Sequence, residues 1–207
     1  MPATRFDHIA YTRNEWIENS YFLKVLEILK SKKIESYLDL GANVGEVCNV
    51  LFDNISTLQK AYLVEPQLEN FEFMKDHLAS KSSAVEYYNV GIFYGKTEGE
   101  LYIDPTWPNP GSFSLTDFRD NFQPVGETVK LVTLESLVIE PVDFVKIDVE
   151  GSEYNIIQNS QYLTQCKYLD IEFHNHSIDY HEFCKTHLPS HSILLNESGH
   201  LLLEKND

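Results

Sequence analysis

Cysteine is scarce in this sequence, and no hydrophobic run is long enough to cross a membrane. The 207 residues include three cysteines, Cys48, Cys166 and Cys184, and none of them forms a CxxC pair. An odd, scattered set predicts reduced structural thiols and argues against a disulfide framework or a zinc site of paired cysteines. A transmembrane helix needs roughly 18 apolar residues, and the first residues show no signal or transit pattern. We therefore expect a cytoplasmic protein without a membrane span.

Basic residues are also few, with 16 Lys and Arg against 32 Asp and Glu, which gives a formal net charge of −16. Nucleic-acid binders usually present a basic face, because contacts to phosphates supply much of their affinity. The one lysine cluster, Lys30, Lys32 and Lys33, falls at a predicted helix end, where cations are favoured. We expect no nucleic-acid partner, and a small or glycan acceptor that is uncharged or weakly charged. The oligomeric state has no signal in the sequence.

The residues that are abundant predict one domain with a full core. Hydrophobic residues make up 43% of the chain and aromatic residues 13%. Residues 1–207 are therefore expected to fold as a single domain. Its N-terminal helical segment, 1–35, contains an apolar stripe that predicts a helix from Asn14 to about Lys33.

Beyond residue 35, strand and helix patterns alternate, which is typical of an α/β fold with a doubly wound, mostly parallel sheet and right-handed crossovers. The last two strands are joined by Asn196–Gly199, which predicts an antiparallel hairpin. The predicted strands are 36–40, 61–65, 85–90, 142–149, 168–173, 192–195 and 200–203. The predicted helices are 44–52, 67–78, one that starts near Ser152, and 178–186.

The segment 104–126 departs from this alternation. It is rich in proline and glycine and also carries Trp107, Phe113, Phe118 and Phe122. Loops longer than about 12 to 15 residues in compact domains are usually lids or linkers, and the aromatic content argues against a linker. We predict a lid or acceptor insertion here, with structural padding as the alternative.

A glycine turn follows the first predicted strand, in Leu38–Gly45 (LDLGANVG). Glycine lets a backbone turn approach a ligand closely. The turn lacks the third glycine of the GxGxxG pattern that binds dinucleotides, which argues against a nicotinamide dehydrogenase. It suits S-adenosylmethionine, which carries no phosphate and whose ammonium group Asp39 can contact directly or through water. The predicted cofactor residues here are Asp39, Gly41, Ala42, Asn43 and Gly45.

An acidic residue ends the second predicted strand. Glu65 is placed to accept both ribose hydroxyls of a nucleoside cofactor, with the adenine beside Pro66. Asn89 and Val90 end the third predicted strand, where a polar group can bind the adenine amine. The alternative for Glu65 is an exposed acid at a strand end.

Charged residues interrupt the buried strand in Asp143–Glu153 (DFVKIDVEGSE). By the two-residue period, Lys146 and Asp148 share one face, and a buried lysine is costly unless it is paired. Asp148 falls at the carboxyl end of the strand, where open α/β sheets bind ligands, and Glu150 follows in the turn. We predict cofactor contact and catalysis for Asp148; for Lys146 the alternative is a core ion pair with Asp39 or Asp148.

The next predicted strand also ends in polar residues, in Ile171–Ser177 (IEFHNHS). A neutral imidazole of His174 is suited to act as a general base, although a plain hydrogen bond to a neighbouring loop is an equal alternative. His176 is expected to be structural or at the surface. As a further alternative, a divalent metal ion could be held by Asp148, Glu150, Glu172 and His174.

Together these segments resemble the FkbM methyltransferases, over roughly Tyr37 to His174. The resemblance is carried by LDLGANVG, Val64–Pro66, KIDVEG with Glu153, Ile171–His174, and the middle segments Gly111–Leu115 and Val132–Leu137. It implies a Rossmann-like class I methyltransferase fold with a seven-stranded sheet that ends in an antiparallel hairpin. It also implies S-adenosylmethionine-dependent O-methylation of a hydroxyl on a sugar, glycan or natural product. The alternative is a non-catalytic S-adenosylmethionine-binding module of a larger glycan-modifying protein.

With that resemblance, roles can be predicted for individual residues. Asp148 or His174 would remove the proton of the acceptor hydroxyl, and Lys146 would orient or neutralise nearby carboxylates. Glu150 is also predicted to be catalytic. Aromatic rings of the lid would stack on a sugar and small polar side chains would bind its hydroxyls. The predicted acceptor-binding residues are Trp107, Ser112, Phe113, Ser114 and Glu172.

Overall fold

The computed structural model describes residues 20–106, 111–117, 120–137, 140–175 and 177–206. Ten strands and five α-helices lie in these residues. The strands are β1 Ser36–Leu40, β2 Lys60–Val64, β3 Val85–Tyr88, β4 Gly91–Ile92, β5 Glu98–Ile103, β6 Gln123–Val132, β7 Phe144–Ile147, β8 Tyr168–Glu172, β9 His191–Glu197 and β10 His200–Lys205. The helices are α1 Ser20–Lys30, α2 Glu46–Asn54, α3 Leu68–His77, α4 Glu153–Asn159 and α5 Tyr180–His187.

Seven of the strands form one sheet in the order β3-β2-β1-β7-β8-β10-β9. The first five of these are parallel neighbours, and β10 is antiparallel to both β8 and β9. The predicted mostly parallel sheet with a C-terminal antiparallel hairpin is confirmed. Strand order reverses between β1 and β7, and in open α/β sheets ligands bind outside the carboxyl ends of the strands at such a point.

Helices cover both faces of this sheet because its strands are apolar on both sides. Within β1, Tyr37 packs in a core with residues of α1, α2 and α3, whereas Leu38 packs in a second core with residues of α4 and α5. This alternation follows from the two-residue period of a strand. The parallel strands are thereby buried on both faces, and their carboxyl ends are the part left for ligands.

The helix after β2 begins where the sequence places proline. Gln67 follows Pro66 and caps α3: its side-chain oxygen accepts a hydrogen bond of 2.7 Å from the backbone N–H of Asn70. Such a cap satisfies one of the free amide groups of the first turn. Since β2 ends at Val64 and α3 begins at Leu68, Glu65 lies in the short connection between them.

A second, three-stranded sheet, in the order β4-β6-β5, was not predicted from the sequence. The predicted strand 85–90 ends in the structure at Tyr88, and a separate short strand, β4, pairs with β6 instead. The predicted lid also differs, because residues 123–126 belong to β6. Pro124 and Gly126 lie in the exposed first part of that strand. The missing backbone N–H of proline and the missing side chain of glycine are tolerated at such a position.

Several predictions concern residues at the limits of the described chain. The helix predicted from Asn14 is described from Ser20, and residues 14–19 lie outside the described part, as do Trp107, Phe118 and His176. The three cysteines are free and buried. None of the helices in the described residues is long and apolar enough to cross a membrane.

Candidate active site

A crevice opens at the carboxyl ends of β1, β2 and β7. It has about 510 Å³ of empty space, including its open mouth. Many of the predicted site residues line it: Gly41, Asn43, Glu65, Pro66, Phe113, Val90, Asp148 and Glu150. The structure thus brings residues from five separate sequence segments to one place, at the switch point of the sheet.

Gly41 forms the floor of the crevice because the turns after β1 and β7 meet there. Its φ is +85°, and a Cβ added at this position would lie 1.8 Å from the carbonyl oxygen of Asp148. The backbone N–H of Asp148 donates to the carbonyl of Leu40 at 3.0 Å. A side chain larger than hydrogen therefore cannot occupy this position without moving the strand ends apart.

The other glycine of the turn has a packing role. Gly45 has a φ of +78°, and an added Cβ would lie 2.8 Å from Leu78 and 2.9 Å from Met74. Gly45 is absent from the crevice lining, and so is Ala42, which is buried. In the described residues, Ala42 and Gly45 thus pack within the protein and do not line the crevice.

Glu65 is held in the crevice wall by the backbone. Its Oε2 accepts a hydrogen bond of 2.8 Å from the N–H of Asn43, and its Oε1 accepts one of 3.0 Å from the N–H of Gln67. The residue is only 5% exposed, and burial raises the pKa of its carboxyl to about 7 despite these bonds. Each oxygen can accept a further hydrogen bond, as two ribose hydroxyls would require.

Asn89 supports the same loop from behind. Its amide Nδ2 donates to the carbonyl oxygens of Glu65 at 2.9 Å and of Pro66 at 3.0 Å. It is not among the residues that line the crevice, whereas its neighbour Val90 is. The structure therefore places Asn89 as a brace for the loop that carries Glu65, and its predicted contact with adenine stays a prediction.

Lys146 and Asp39 form a buried ion pair behind the crevice. Lys146 Nζ lies 2.9 Å from Asp148 Oδ2 and 3.7 Å from Asp39 Oδ1, and its side chain is 3% exposed. Burial acts to lower the lysine pKa, but the two carboxylates raise it above its ordinary value. Asp39 is fully buried, its oxygens have no hydrogen-bond partner in the described residues, and burial raises its pKa. These contacts match the core ion pair that was the alternative prediction for Lys146.

His174 lies among carboxylates at the edge of the crevice. Its Nδ1 lies 2.8 Å from Glu153 Oε1, and its Nε2 faces three further acids on the other side. Burial acts to lower the pKa of His174, but the bond to Glu153 and the surrounding carboxylates raise it to about 10. The Nε2 distances are 3.3 Å to Glu150 Oε2, 3.6 Å to Glu172 Oε1 and 3.8 Å to Asp148 Oδ1.

This environment changes the expectation for His174. The general-base prediction assumed an ordinary imidazole pKa, whereas the surrounding carboxylates favour the protonated ring. The catalytic role of His174 stays a prediction. The pKa of Glu172 is also raised, to about 8, because burial and the neighbouring Asp148 disfavour its ionised form. The pKa of Asp148 is lowered from its ordinary value, because Lys146 and His174 outweigh the effect of burial.

Two residues of this site were missed in the sequence. Glu153 was singled out only as part of the family resemblance, yet it is fully buried and also accepts a hydrogen bond of 2.9 Å from the N–H of Gly151. His200 is brought opposite Glu172 by the register of β8 and β10, with its Nε2 3.7 Å from Glu172 Oε1. Spacing within one segment gives no signal for either contact.

The insertion after β5 is tied to the crevice through one serine. Ser114 pairs with Tyr102 in a β-bridge, and its hydroxyl lies within hydrogen-bond distance of the carbonyl oxygen of Glu150, at 2.5 Å. Ser112 and Ser114 are buried and do not line the crevice, whereas Phe113 does. Of the predicted acceptor residues, Trp107 lies outside the described residues.

Comparison with known families gives one match, to the family described as "Methyltransferase FkbM domain", over residues 39–198. This range contains every predicted cofactor and catalytic residue. No curated protein sequence matches the chain.

Three solved structures show the same fold at low sequence identity. A methyltransferase FkbM from Methylobacillus flagellatus KT has a TM-score of 0.59 and 15% identity over 83% of this chain, which spans only 44% of that longer chain. A putative tRNA (m1A22) methyltransferase from Streptococcus pneumoniae, in complex with S-adenosyl-L-methionine, has a TM-score of 0.52 and 14% identity over 89% of this chain and 73% of its own. An rRNA methylase from Streptococcus thermophilus has a TM-score of 0.54 and 12% identity, over 92% of this chain and 99% of its own.

Proposed function

Because this chain belongs to the FkbM family of methyltransferase domains, we propose that it transfers the methyl group of S-adenosylmethionine to a hydroxyl of a small polyhydroxylated acceptor such as a sugar. The prediction of an S-adenosylmethionine-dependent methyltransferase is confirmed at the level of the family. The acceptor and the roles of individual residues are our proposal.

The crevice supports the cofactor position. Glu65 has both carboxylate oxygens fixed by backbone N–H groups, at the end of the strand next to β1, which suits two vicinal ribose hydroxyls. Pro66 and Val90 supply apolar surface beside it for the adenine. Gly41 and Asp148 line the crevice side by side, and we assign the amino acid part of the cofactor to this place. The orientation of Glu65 in this crevice is the observation that carries the proposal.

Asp148 is the residue that we assign to proton transfer. Bound S-adenosylmethionine would supply an electrophilic methyl group, to which the acceptor oxygen would bond while the C–S electron pair leaves with S-adenosylhomocysteine. Asp148 lines the crevice, and Lys146 holds one of its oxygens at 2.9 Å, so the carboxylate has a fixed direction. It accepts the hydroxyl proton as the new C–O bond forms. A positioned base of this kind contributes roughly 10² to 10⁴ in rate.

The lining of the crevice favours a neutral acceptor. Among the described lining residues, the charged ones are Glu65, Asp148 and Glu150, and none is Lys or Arg. The phosphates of a polyanion such as RNA would be repelled by these carboxylates. Two of the solved structures are named as RNA methylases, but identities of 12% and 14% establish the fold alone. Phe113 at the mouth offers an apolar surface for a sugar ring.

Titration calorimetry with S-adenosylhomocysteine tests the cofactor position. Glu65→Gln should raise Kd by roughly 10- to 100-fold, because hydrogen bonds to a charged acceptor contribute about 1.5 to 3 kcal/mol. Glu86→Gln, at an exposed position of β3, is the matched control and should leave Kd unchanged. Equal affinity of wild type and Glu65→Gln would show that the ribose is not bound here.

Turnover with pooled sugars, and separately with RNA oligonucleotides, tests the acceptor. We expect S-adenosylhomocysteine to form with sugars and not with RNA, and Asp148→Asn to lower kcat by roughly 10² to 10⁴. Methylation of RNA alone would reverse the assignment of the acceptor class. Cofactor binding without turnover on any acceptor would favour the non-catalytic module that was the alternative prediction.

A further inference from the structure

We propose that Asp148, Glu150, Glu172 and His174 bind a divalent metal ion at the mouth of the crevice. One ligand atom each from Asp148, Glu150 and His174 lie within 4.8 Å of one another. His174 Nε2 is separated from the three carboxylates by 3.3 to 3.8 Å. Neighbouring ligands of an octahedral ion lie roughly 3 Å apart, given bonds of about 2.1 Å. Small side-chain rotations are therefore enough to close these atoms around an ion.

The His174 ring is already oriented for such a role. Glu153 Oε1 lies 2.8 Å from Nδ1, which leaves Nε2 directed at the other carboxylates. Histidine ligands almost always have a partner on their second nitrogen, which fixes the tautomer and the ring plane. Glu153 Oε2 is buried and has no hydrogen-bond partner in the described residues, so its negative charge adds to that of the cluster.

Carboxylates predominate in the cluster. Glu153 and the three ligand carboxylates surround one imidazole, and their side chains are between 0% and 24% exposed. Buried charges are retained when they are paired or coordinate a metal, and a divalent ion would pair with several of these carboxylates at once.

The backbone at Glu150 supports a dedicated site. Glu150 has a φ of +48° and is followed by Gly151 at +105°. A left-handed conformation costs a residue with a side chain roughly 1 to 2 kcal/mol, and such positions cluster at functional sites. Here this conformation accompanies a carboxylate that lies 3.3 Å from His174 Nε2.

One imidazole nitrogen with several carboxylate oxygens suits Mn²⁺ better than Ca²⁺, which takes oxygen ligands. The role of the ion in catalysis rests on the proposed methyl transfer. The ion would bind the oxygens of the acceptor and lower the pKa of a bound hydroxyl, so that a weak base such as a carboxylate can take the proton. Binding of the ion itself does not depend on the identity of the acceptor.

Electron paramagnetic resonance of Mn²⁺ tests the site directly, because the signal of the free aqueous ion decreases when the ion binds to protein. The full chain, treated with chelator and dialysed, is titrated with MnCl₂ alone. We expect one bound ion in the wild type. We expect a loss of affinity on the order of 100-fold for Glu150→Gln and His174→Gln, and about 10- to 100-fold for Glu153→Gln. Glu182→Gln, on exposed α5, is the matched control and should bind as the wild type does.

Calorimetry with S-adenosylhomocysteine on the same samples separates this proposal from the cofactor assignment. Mn²⁺ binding that fails in the wild type, or that is equal in all variants, overturns the metal site even if the nucleoside binds normally. Nucleoside binding that fails while Mn²⁺ binding follows the expected pattern overturns the cofactor position and leaves the metal site standing. Circular dichroism of each variant confirms that the fold is intact, and the wild-type titration decides the question should a variant unfold.

Discussion

Gly41 and Asp148 belong to different strands, yet the carbonyl oxygen of Asp148 fills the space that a side chain at Gly41 would need. An added Cβ would lie 1.8 Å from this oxygen, and the N–H of Asp148 is bonded to Leu40. The turn that forms the floor of the crevice and the carboxylate assigned to proton transfer are thus one rigid unit. A change in either should therefore disturb both binding and stability.

Gly41→Ala should lower the free energy of unfolding by about 3 kcal/mol or more, from the clash and the positive φ together. Gly95→Ala is the matched control, because Gly95 has a φ of +90° and open space around its Cβ position. It should cost only the backbone strain, about 1 to 2 kcal/mol. Denaturant unfolding of both variants measures the difference, and equal losses would mean that the strand ends move apart easily.

Lys146→Met should lower stability by about 3 to 5 kcal/mol, because it leaves Asp39 and Asp148 buried without their cation. Adding Asp39→Asn should restore part of this loss, since one of the two uncompensated charges is removed. Lys60→Met, at an exposed pair with Glu86, should change stability little. Strict additivity of the Lys146 and Asp39 variants in thermal unfolding would contradict the proposed coupling.

Asp143 should contribute to stability in a pH-dependent way. Burial acts to raise its pKa, but Lys167 at 2.5 Å and the N–H groups of Glu35 and Ser36 lower it below the ordinary 3.8. The stabilisation is thus complete above that value and is lost as the pH falls through the lower folded pKa. Asp143→Asn should be less stable by about 1 to 2 kcal/mol at pH 7.

Unfolding of wild type and Asp143→Asn between pH 5 and pH 2 checks the sign of this effect. The wild type should lose stability more steeply in acid than the variant does. Asp53→Asn, at a side chain that is 61% exposed, serves as the control and should follow the wild type. Parallel curves for Asp143→Asn and wild type would show that this carboxyl does not couple to folding.

Asn89→Ala should weaken cofactor binding from outside the crevice. The amide bonds to the carbonyls of Glu65 and Pro66 hold the loop, and losing them should raise Kd for S-adenosylhomocysteine about tenfold. Asn54→Ala removes a comparable bond, to the carbonyl of Val50 on an exposed helix, and should leave Kd unchanged. An unchanged Kd for Asn89→Ala would mean that Glu65 is held by its own backbone contacts alone.

The central sheet could be predicted because its strands are short, apolar and separated by clear helix signals. β1 was predicted at its observed bounds, 36–40, and Glu65 and Asp148 were expected at strand ends, which is where they lie. The second sheet could not be predicted, because β6 begins with proline and glycine at exposed positions. Its pairing with β4 depends on tertiary contacts that no local pattern records.

The candidate site was predictable in its members but not in its charges. Glu172, His174 and Asp148 were expected to lie near one another because their strands are neighbours. The raised pKa of His174 depends on Glu153 and on the turn conformation at Glu150. Likewise, the sequence gives no signal for the direction of the Asn89 amide, which follows from the path of the loop after Pro66.

The Ser114 hydroxyl joins the insertion to the backbone of the turn that carries Glu150. Under the proposed function, an acceptor that displaces the insertion would also move the turn that carries Asp148 and Glu150. Binding of the acceptor and positioning of these carboxylates would then be coupled through this contact.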